Sequence, residues 1–420
     1  MVNHMLSIAY NYSMKWKFEF NLDKSLVMIW GLDKLPGQPI LFGDKELKTV
    51  DKIKHMGVLL TSYNSAFKDN FKEKIAAGKN CILAARGLGS PNVPVSPRVL
   101  SKIYWCISIP RITYGLEVTP VKDNHSIITE MEQAHRQIAK LIQCLPQNIS
   151  KPACLVTLGW MSMESYVILK KISFLWQVLN LPDEHIYKIT ALYTIHQCQN
   201  RIEYSIKCSP IADAWHYVSR LNLDTKILGE SGTGEIASKY ARKRLLKRVV
   251  WELDYKRWQA TKLCYPELEL FYECIKNINM HPWWSLATIY PHLVHKIGTI
   301  ISILMGGQPK GMLCNMNSKL CKLCSYRARD DVTHLLFECE GLKTIQDTGW
   351  ATVILLMTEG MRCDMERLTY KEKSTLILSC YGNTFIPDWT DLYAATLNFV
   401  HLIYQKRADM YKAIGTDSLD

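Results

Sequence analysis

The sequence lacks the long apolar runs that mark membrane and secreted proteins. No stretch reaches the roughly 18 apolar residues of a spanning helix, and the run at residues 300–305 is far too short. Asn11, Lys15 and Lys17 interrupt the N-terminal segment, which excludes the apolar core of a signal peptide. We therefore expect an intracellular protein, of the nucleus or the cytoplasm, without a membrane partner.

Low-complexity tracts and internal repeats are also missing from the 420 residues. Hydrophobic residues make up 48% and charged residues 21%, which excludes a disordered polyelectrolyte and is typical of a folded chain. The length allows several domains, each with its own core.

Acidic residues are scarce relative to basic ones. Lysine and arginine number 51 against 39 aspartates and glutamates, a formal net charge of +12. Such a surplus favours a polyanionic partner through long-range attraction and counterion release. An unspecialised basic surface would give the same net charge. The charge therefore allows two interpretations, a nucleic-acid partner or a basic surface without a specific role.

The pattern of apolar residues predicts a small α+β unit followed by helices. Residues 5–16 have helical periodicity, and residues 26–30, 40–42 and 55–60 are predicted strands. From Phe67 onward the periodicity is helical. Helices are predicted at residues 67–86, 97–108, 124–144, 162–180, 183–197, 209–220 and 239–258.

The most basic predicted helix is residues 239–258. Its apolar residues cluster on one face, and Arg244, Lys247 and Arg248 fall on the opposite face. A face of this kind can hold phosphates. It can equally be a solvated surface with the aliphatic stems lying along the helix.

Four residues have the spacing of a zinc site. Cys321 and Cys324 are separated by two residues, His334 follows after nine more, and Cys339 after another four. Three thiolates and one imidazole form a closed tetrahedral set suited to structural zinc, with no position for a catalytic water. The alternative is coincidence among 14 cysteines, which we otherwise expect to be reduced and mostly buried.

Several segments resemble reverse transcriptases of non-LTR (LINE-type) retrotransposons. Residues 16–28 (Trp-Lys-Phe-Glu-Phe-Asn-Leu-Asp-Lys-Ser-Leu-Val-Met) resemble the segment after the catalytic aspartates, and residues 54–58 (Lys-His-Met-Gly-Val) the primer-grip turn. Residues 110–117 (Pro-Arg-Ile-Thr-Tyr-Gly-Leu-Glu) and 158–160 (Leu-Gly-Trp) are similar to elements of the thumb. The cysteine cluster lies where many such proteins carry a C-terminal zinc knuckle.

The resemblance implies roles for particular residues. Lys24 matches a lysine near the incoming nucleotide, although it could be a solvated turn residue. Gly57 would let the backbone approach the primer terminus, although it could be an ordinary hairpin glycine. In the knuckle, the candidates for contacts with single-stranded bases, each of which could instead be simply exposed, are Lys322, Tyr326, Arg327 and Arg329.

The fold implied is mainly α, with a small α+β unit at the N-terminus. The expected parts are a palm remnant, a helical thumb, a helical basic region, a Cys-Cys-His-Cys zinc knuckle and C-terminal helices. Their boundaries are predicted at residues 1–66, 67–180, 181–305, 306–345 and 346–420.

The family is an RNA-directed DNA polymerase, but its paired aspartates precede the segment with which this chain begins. We expect a chain truncated after that motif and without polymerase activity of its own. The only Asp-Asp pair, Asp330-Asp331, lies between Cys324 and His334. It is therefore predicted to belong to the knuckle loop rather than to a two-metal polymerase site.

The expected function is non-specific binding of RNA, RNA/DNA hybrid or single-stranded DNA by a zinc-containing remnant of unknown oligomeric state. One alternative is a protein-interaction module braced by zinc, with Trp283 and Trp284 either as exposed anchors or as core residues. Another is a fragment of an active polymerase whose catalytic palm lies upstream.

Overall fold

The computed structural model describes most of the chain and shows a mainly helical protein. The described residues are 2–29, 39–61, 66–90, 93–121, 125–146, 149, 153–200, 209–223, 239–265, 268–307, 320–325 and 328–416. Among them, no helix is both long enough and apolar enough to cross a bilayer.

The N-terminal part contains one helix and two small antiparallel sheets. Helix α1 spans Val2–Trp16, as the periodicity predicts. Strands β1 and β2 pair in one sheet, and β3 and β4 pair in the other. The strands are β1 (Leu41–Phe42), β2 (Lys45–Glu46), β3 (Lys52–His55) and β4 (Val58–Thr61).

Two of the three predicted strands are wrong in detail. Within residues 26–30, the described part forms only an isolated parallel bridge between Val27 and Thr49, and Trp30 lies outside the described residues. The predicted strand at residues 55–60 comprises the last residue of β3, a hairpin turn and most of β4. Met56 and Gly57 both have positive φ, which reverses the chain between β3 and β4. The apolar residues on both sides of this turn had suggested a single continuous strand.

The rest of the described chain is helical. The first group is α2 (Ala66–Arg86), α3 (Pro97–Ile103), α4 (Ile109–Ile112), α5 (His125–Ile142), α6 (Ala153–Val156), α7 (Met163–Leu179), α8 (Ile186–Gln199), α9 (Pro210–Arg220) and α10 (Lys239–Cys264). The second is α11 (Glu269–Cys274), α12 (Trp283–Ile289), α13 (Val294–Leu304), α14 (Lys343–Leu355), α15 (Glu359–Arg367), α16 (Tyr370–Leu378) and α17 (Thr390–Thr416).

One predicted helix is divided by a wider turn. Residues 97–108 begin as α3 and continue as a π-helical turn, Tyr104–Ser108, before α4. The Ile109 N–H bonds to the Tyr104 carbonyl, five residues back. Pro110, which has no N–H, cannot donate to the next carbonyl, so the regular ladder is interrupted here.

Two hydrophobic clusters organise the helices. The larger one, here called the main core, includes residues from α2 to α6 and from α11 to α17, together with the predicted zinc ligands Cys321, Cys324 and Cys339. The second core joins α7, α8, α9 and α10. Helix α10 contributes Leu246 and Val250 to the second core and Trp258 to the main core.

A buried ion pair fastens the second core. Lys171 of α7 lies 2.8 Å from Asp213 of α9, and both side chains are almost fully buried. The Lys171 ammonium also donates to the carbonyl of Thr119, so each charge has partners that offset its desolvation. Burial lowers the pKa of Lys171, and the nearby Asp213 carboxylate opposes that shift.

Candidate metal centre and basic helix

The four predicted zinc ligands meet at one buried point. Cys321, Cys324, His334 and Cys339 are all buried, and one ligand atom from each lies within 4.8 Å of all the others. The Cys339 sulfur is 3.9 Å from the sulfur of Cys321 and 3.7 Å from that of Cys324. The Cys324 sulfur is 3.4 Å from Nε2 of His334.

These separations fit a tetrahedral zinc ion. Zinc bonds of roughly 2.3 Å to sulfur and 2.0–2.1 Å to nitrogen place ligand sulfurs about 3.8 Å apart and sulfur about 3.6 Å from nitrogen. A disulfide would need sulfurs about 2.05 Å apart. The cluster is thus compatible with a structural metal ion such as zinc.

A π-helical turn brings the second pair of ligands together. His334–Glu338 is π-helical, and the Cys339 N–H donates to the His334 carbonyl at 2.9 Å. A bond from residue i+5 back to residue i suits two ligands that are five positions apart. The turn between His334 and Cys339 is thus wider than an α-helical turn.

The first pair of ligands lies on a short loop that is closed by backbone contacts. The Cys321 N–H donates to the Ala328 carbonyl at 2.8 Å. The Glu340 N–H donates to the Cys324 sulfur at 3.3 Å. Gly341 packs against this loop so closely that a Cβ would lie 2.9 Å from the Leu323 carbonyl oxygen.

The last helix supplies a second layer of contacts. The Tyr411 hydroxyl of α17 lies 4.0 Å from the Cys321 sulfur, and the Lys322 N–H donates to that hydroxyl at 3.4 Å. Arg407, whose side chain is fully buried, pairs with Asp330 and donates to the Tyr411 hydroxyl at 3.3 Å. Outer contacts of this kind hold metal ligands in position.

The Asp330-Asp331 pair has structural partners. Asp330 pairs with Arg407, and an oxygen of Asp331 accepts from the His334 N–H at 2.9 Å. Asp331 also lies 3.8 Å from Arg329. Both carboxylates therefore bond with residues that hold the loop and the turn of the cysteine–histidine cluster.

The thiols influence one another when no metal is present. The hydrogen bond with Cys339 lowers the pKa of Cys321 to about 3, and the same contact raises the pKa of Cys339. The pair therefore holds one negative charge more readily than two. A divalent cation would remove this conflict by allowing every cysteine to be a thiolate, with release of protons.

The predicted basic face lies on α10. Arg244, Lys247 and Arg248 are exposed, while Leu246 and Val250 on the other side are buried in the second core. Arg248 makes a loose, exposed ion pair with Glu252 at 4.0 Å. Within the described part of the chain, no ion pair is formed by Arg244 or Lys247. The predicted division of this helix into an apolar and a cationic face is confirmed.

Sequence reasoning missed three aromatic residues on the same side of α10. Tyr240 is 84% exposed, Tyr255 is 40% exposed, and Trp251 is partly exposed at the edge of the main core. Tyr240 lies four positions before Arg244, and Trp251 and Tyr255 lie four and eight positions after Lys247. The periodicity that identified the two cations could therefore have found these aromatic residues too.

Lys24 and Gly57 lie in turns of the N-terminal part. Lys24 is exposed, and its N–H donates to the Asn21 side chain at 3.2 Å. Gly57 has φ +77°, and a Cβ there would lie 3.1 Å from the Tyr114 ring. The hairpin turn and its packing therefore account for glycine at this position. Among the described residues, no hydrogen bond or ion pair links Lys24 or Gly57 to α10.

Of the four knuckle candidates for base contacts, two lie within the described residues. Lys322 and Arg329 are both exposed beside the metal ligands. Tyr326 and Arg327 lie outside the described residues. The positions of Lys322 and Arg329 are compatible with nucleic-acid contacts and with a solvated surface alike.

Trp283 and Trp284 are core residues and not exposed anchors. Neither is accessible to solvent, and the Trp283 indole N–H donates to the Ile377 carbonyl at 3.2 Å. Of the two interpretations of this pair, the core interpretation is confirmed. Two adjacent residues of a helix can both be buried when packing surrounds the helix. Here α12 lies within the main core.

Comparison with protein-family models, with curated proteins and with solved structures finds no match for this chain.

Proposed function

We propose that this chain is a nucleic-acid-binding protein, related to non-LTR reverse transcriptases, in which a zinc ion braces the fold and α10 holds phosphates. Its partners would be RNA, RNA/DNA hybrid or single-stranded DNA, bound with little sequence preference and without polymerase chemistry in this chain. The observation that carries the proposal is the cationic face of α10.

The charge on α10 is concentrated where it is accessible. Residues 239–251 contain six lysines and arginines and no acidic residue. Helix α10 packs against α7, and its apolar side is used by the second core. Because packing uses the opposite side, the cations remain available for phosphates. The cations also repel one another, and a bound polyanion would relieve this repulsion.

The metal cluster supports a structural role for zinc. Three cysteines and one histidine fill a tetrahedral shell and leave no position for a water nucleophile. The ligands are buried within the main core. Zinc would therefore stabilise the fold, while the exposed residues beside it, Lys322 and Arg329, would add cationic surface.

The proposal is tested by the salt dependence of binding. Fluorescence anisotropy of a labelled single-stranded RNA would be measured at several salt concentrations with the wild type and with Arg244→Gln/Lys247→Gln. We expect log Kd to depend linearly on log salt. The slope should fall by about 1.4 in the variant, since each phosphate contact on a single strand contributes about 0.7.

The matched control removes two exposed cations elsewhere. Arg367 of α15 and Lys406 of α17 are both exposed, and Arg367→Gln/Lys406→Gln causes the same loss of net charge. This variant should keep the wild-type slope. Equal effects of the two double variants would show that only net charge matters, and absence of binding at low salt would refute the proposal.

A second candidate function is supported by the exposed face of α8. Ile186, Ile189 and Tyr193 lie on one side of this helix and are exposed, which suits a protein partner. We propose this as the alternative: a helical interaction module braced by zinc. Light scattering after size-exclusion chromatography, in the wild type and in Ile189→Glu, would reveal a self-association that persists at high salt.

A further inference from the structure

One side of α10 carries two cations, with one aromatic ring before them and two after them. Tyr240, Arg244, Lys247, Trp251 and Tyr255 follow one another at intervals of three or four residues. Residues with this spacing lie along one face of a helix. The face defined by these five residues is called the aromatic-basic stripe below.

Two aromatic rings of this stripe are exposed, and the third is partly exposed. Tyr240 is 84% exposed, and the described residues include no ring that packs against it. Tyr255 lies 5.7 Å, between ring centroids, from Trp258 and is still 40% exposed. Trp251 packs against the main core and is only partly exposed, so its ring is held in a fixed position.

The stripe is long enough for several nucleotides. Tyr255 lies fifteen positions after Tyr240, which at 1.5 Å per residue is a length of about 22 Å. Single-strand binding sites begin at about four nucleotides and combine a cationic groove with aromatic platforms. The stripe thus offers both cations for phosphates and aromatic rings for bases along one helix.

We infer that the aromatic-basic stripe selects single-stranded nucleic acid over duplex by stacking unpaired bases on Tyr240, Trp251 and Tyr255. This inference rests on the proposed nucleic-acid binding and names its substrate class. Phosphates alone would not discriminate, because both duplex and single strands present them. Bases in a duplex are already stacked and paired, so only a single strand can offer their faces to the rings.

Each accessible ring should contribute a salt-independent part of the affinity. Base–aromatic stacking typically changes affinity by about fivefold to a hundredfold for each base. The cations contribute the salt-dependent part, whose size follows the number of phosphates contacted. Loss of a ring should therefore lower the affinity without changing its salt dependence. Loss of a cation should reduce the slope of log Kd against log salt.

The experiment compares a labelled single-stranded RNA, a single-stranded DNA and a duplex RNA of equal length in the full chain. The wild type should bind both single strands more tightly than the duplex. In Tyr240→Ala/Tyr255→Ala, we expect single-strand affinity to fall by at least about tenfold with an unchanged salt slope, and duplex affinity to be nearly unaffected.

Control variants distinguish stacking from general apolar contact. Tyr240→Phe should retain the single-strand affinity, whereas Tyr240→Leu should lower it, since leucine is apolar but has no ring. Tyr187 of α8 is 67% exposed and lies on another helix, so Tyr187→Ala should bind like the wild type. The melting temperature of each variant checks that it is folded.

Three results would overturn the inference. Equal affinity of the wild type for single strands and duplex would remove the selectivity. Wild-type affinity of Tyr240→Ala/Tyr255→Ala for single strands would exclude stacking, although salt-sensitive binding by Arg244 and Lys247 would then still stand. Absence of binding to all three probes would refute the inference together with the proposed function.

Discussion

Replacing Cys339 by serine should release the metal and loosen the protein around it. The Cys339 side chain is fully buried, and its sulfur lies 3.9 Å and 3.7 Å from the sulfurs of Cys321 and Cys324. Neighbouring residues of the π-helical turn and of the segment after it belong to the main core. Loss of one ligand therefore affects a packed region and not a surface loop.

The size of the effect follows from linkage between metal binding and folding. A ligand present at a thousand times its Kd stabilises the folded state by about 4 kcal/mol. Structural zinc in small zinc domains binds more tightly than this requires. We therefore expect Cys339→Ser to lower the unfolding free energy of the region by at least about 4 kcal/mol in zinc-containing buffer.

The assay combines metal analysis with hydrogen exchange. Wild-type protein should contain one zinc per chain by mass spectrometry, and Cys339→Ser should contain much less. Exchange should rise at residues 320–325 and 328–342. It should also rise in the part of α17 that carries Arg407 and Tyr411, because these side chains contact Asp330 and Cys321.

The matched control is Cys363→Ser. Cys363 lies on α15 and is exposed, so its replacement should leave zinc content and exchange unchanged. The reasoning would be refuted by a wild-type protein that binds no zinc when refolded with it. It would be refuted equally by full protection of residues 328–342 in Cys339→Ser.

Three further predictions concern stability and metal affinity. Tyr411→Phe removes the hydroxyl beside the Cys321 sulfur and should weaken zinc binding about tenfold in competition with a chromophoric chelator; an unchanged affinity would exclude a role for this contact. Burial lowers the pKa of His281 to about 3, so the unfolded chain takes up the extra proton between about pH 6.5 and 3. The unfolding free energy should then fall by about 1.4 kcal/mol per pH unit as the pH decreases through this window. Denaturant titrations at several pH values should show a weaker dependence of this free energy on pH in His281→Asn. Gly57→Ala places a Cβ 3.1 Å from the Tyr114 ring at a positive φ and should cost about 1–2 kcal/mol by thermal unfolding; a neutral result would mean that the hairpin can adjust.

The cluster of three cysteines and one histidine could be predicted, and so could the helices, because both depend on local sequence. Cys321, Cys324, His334 and Cys339 lie within 19 consecutive residues, so short loops and one turn can bring them together. The cationic face of α10 is likewise a property of a single helix. Periodicity and spacing are sufficient for features of this kind.

The outer contacts of the metal centre could not be predicted. Arg407 reaches Asp330 across 77 positions, and Tyr411 reaches Cys321 across 90. Nothing in the sequence near α17 distinguishes these two residues from other arginines and tyrosines on a helix. Only the packing of α17 against the turn that carries His334 places them beside the cluster.

The N-terminal strands were predicted less well because they are two to four residues long. A segment of that length offers too few alternations to separate a strand from a turn. The pair Met56-Gly57 decides the topology, since both residues adopt positive φ. Glycine there indicated a turn, and the apolar residues on either side suggested one continuous strand.

Helix α10 contributes to both hydrophobic cores, but its cations and the cysteine–histidine cluster lie at different cores. Its N-terminal half is held by Leu246 and Val250 in the second core, while Trp258 enters the main core that contains the metal ligands. The cations Arg244 and Lys247 lie over the second core, to which no metal ligand belongs. Loss of zinc should therefore lower the fraction of protein that is folded. The slope of log Kd against log salt should instead depend on the cations of α10.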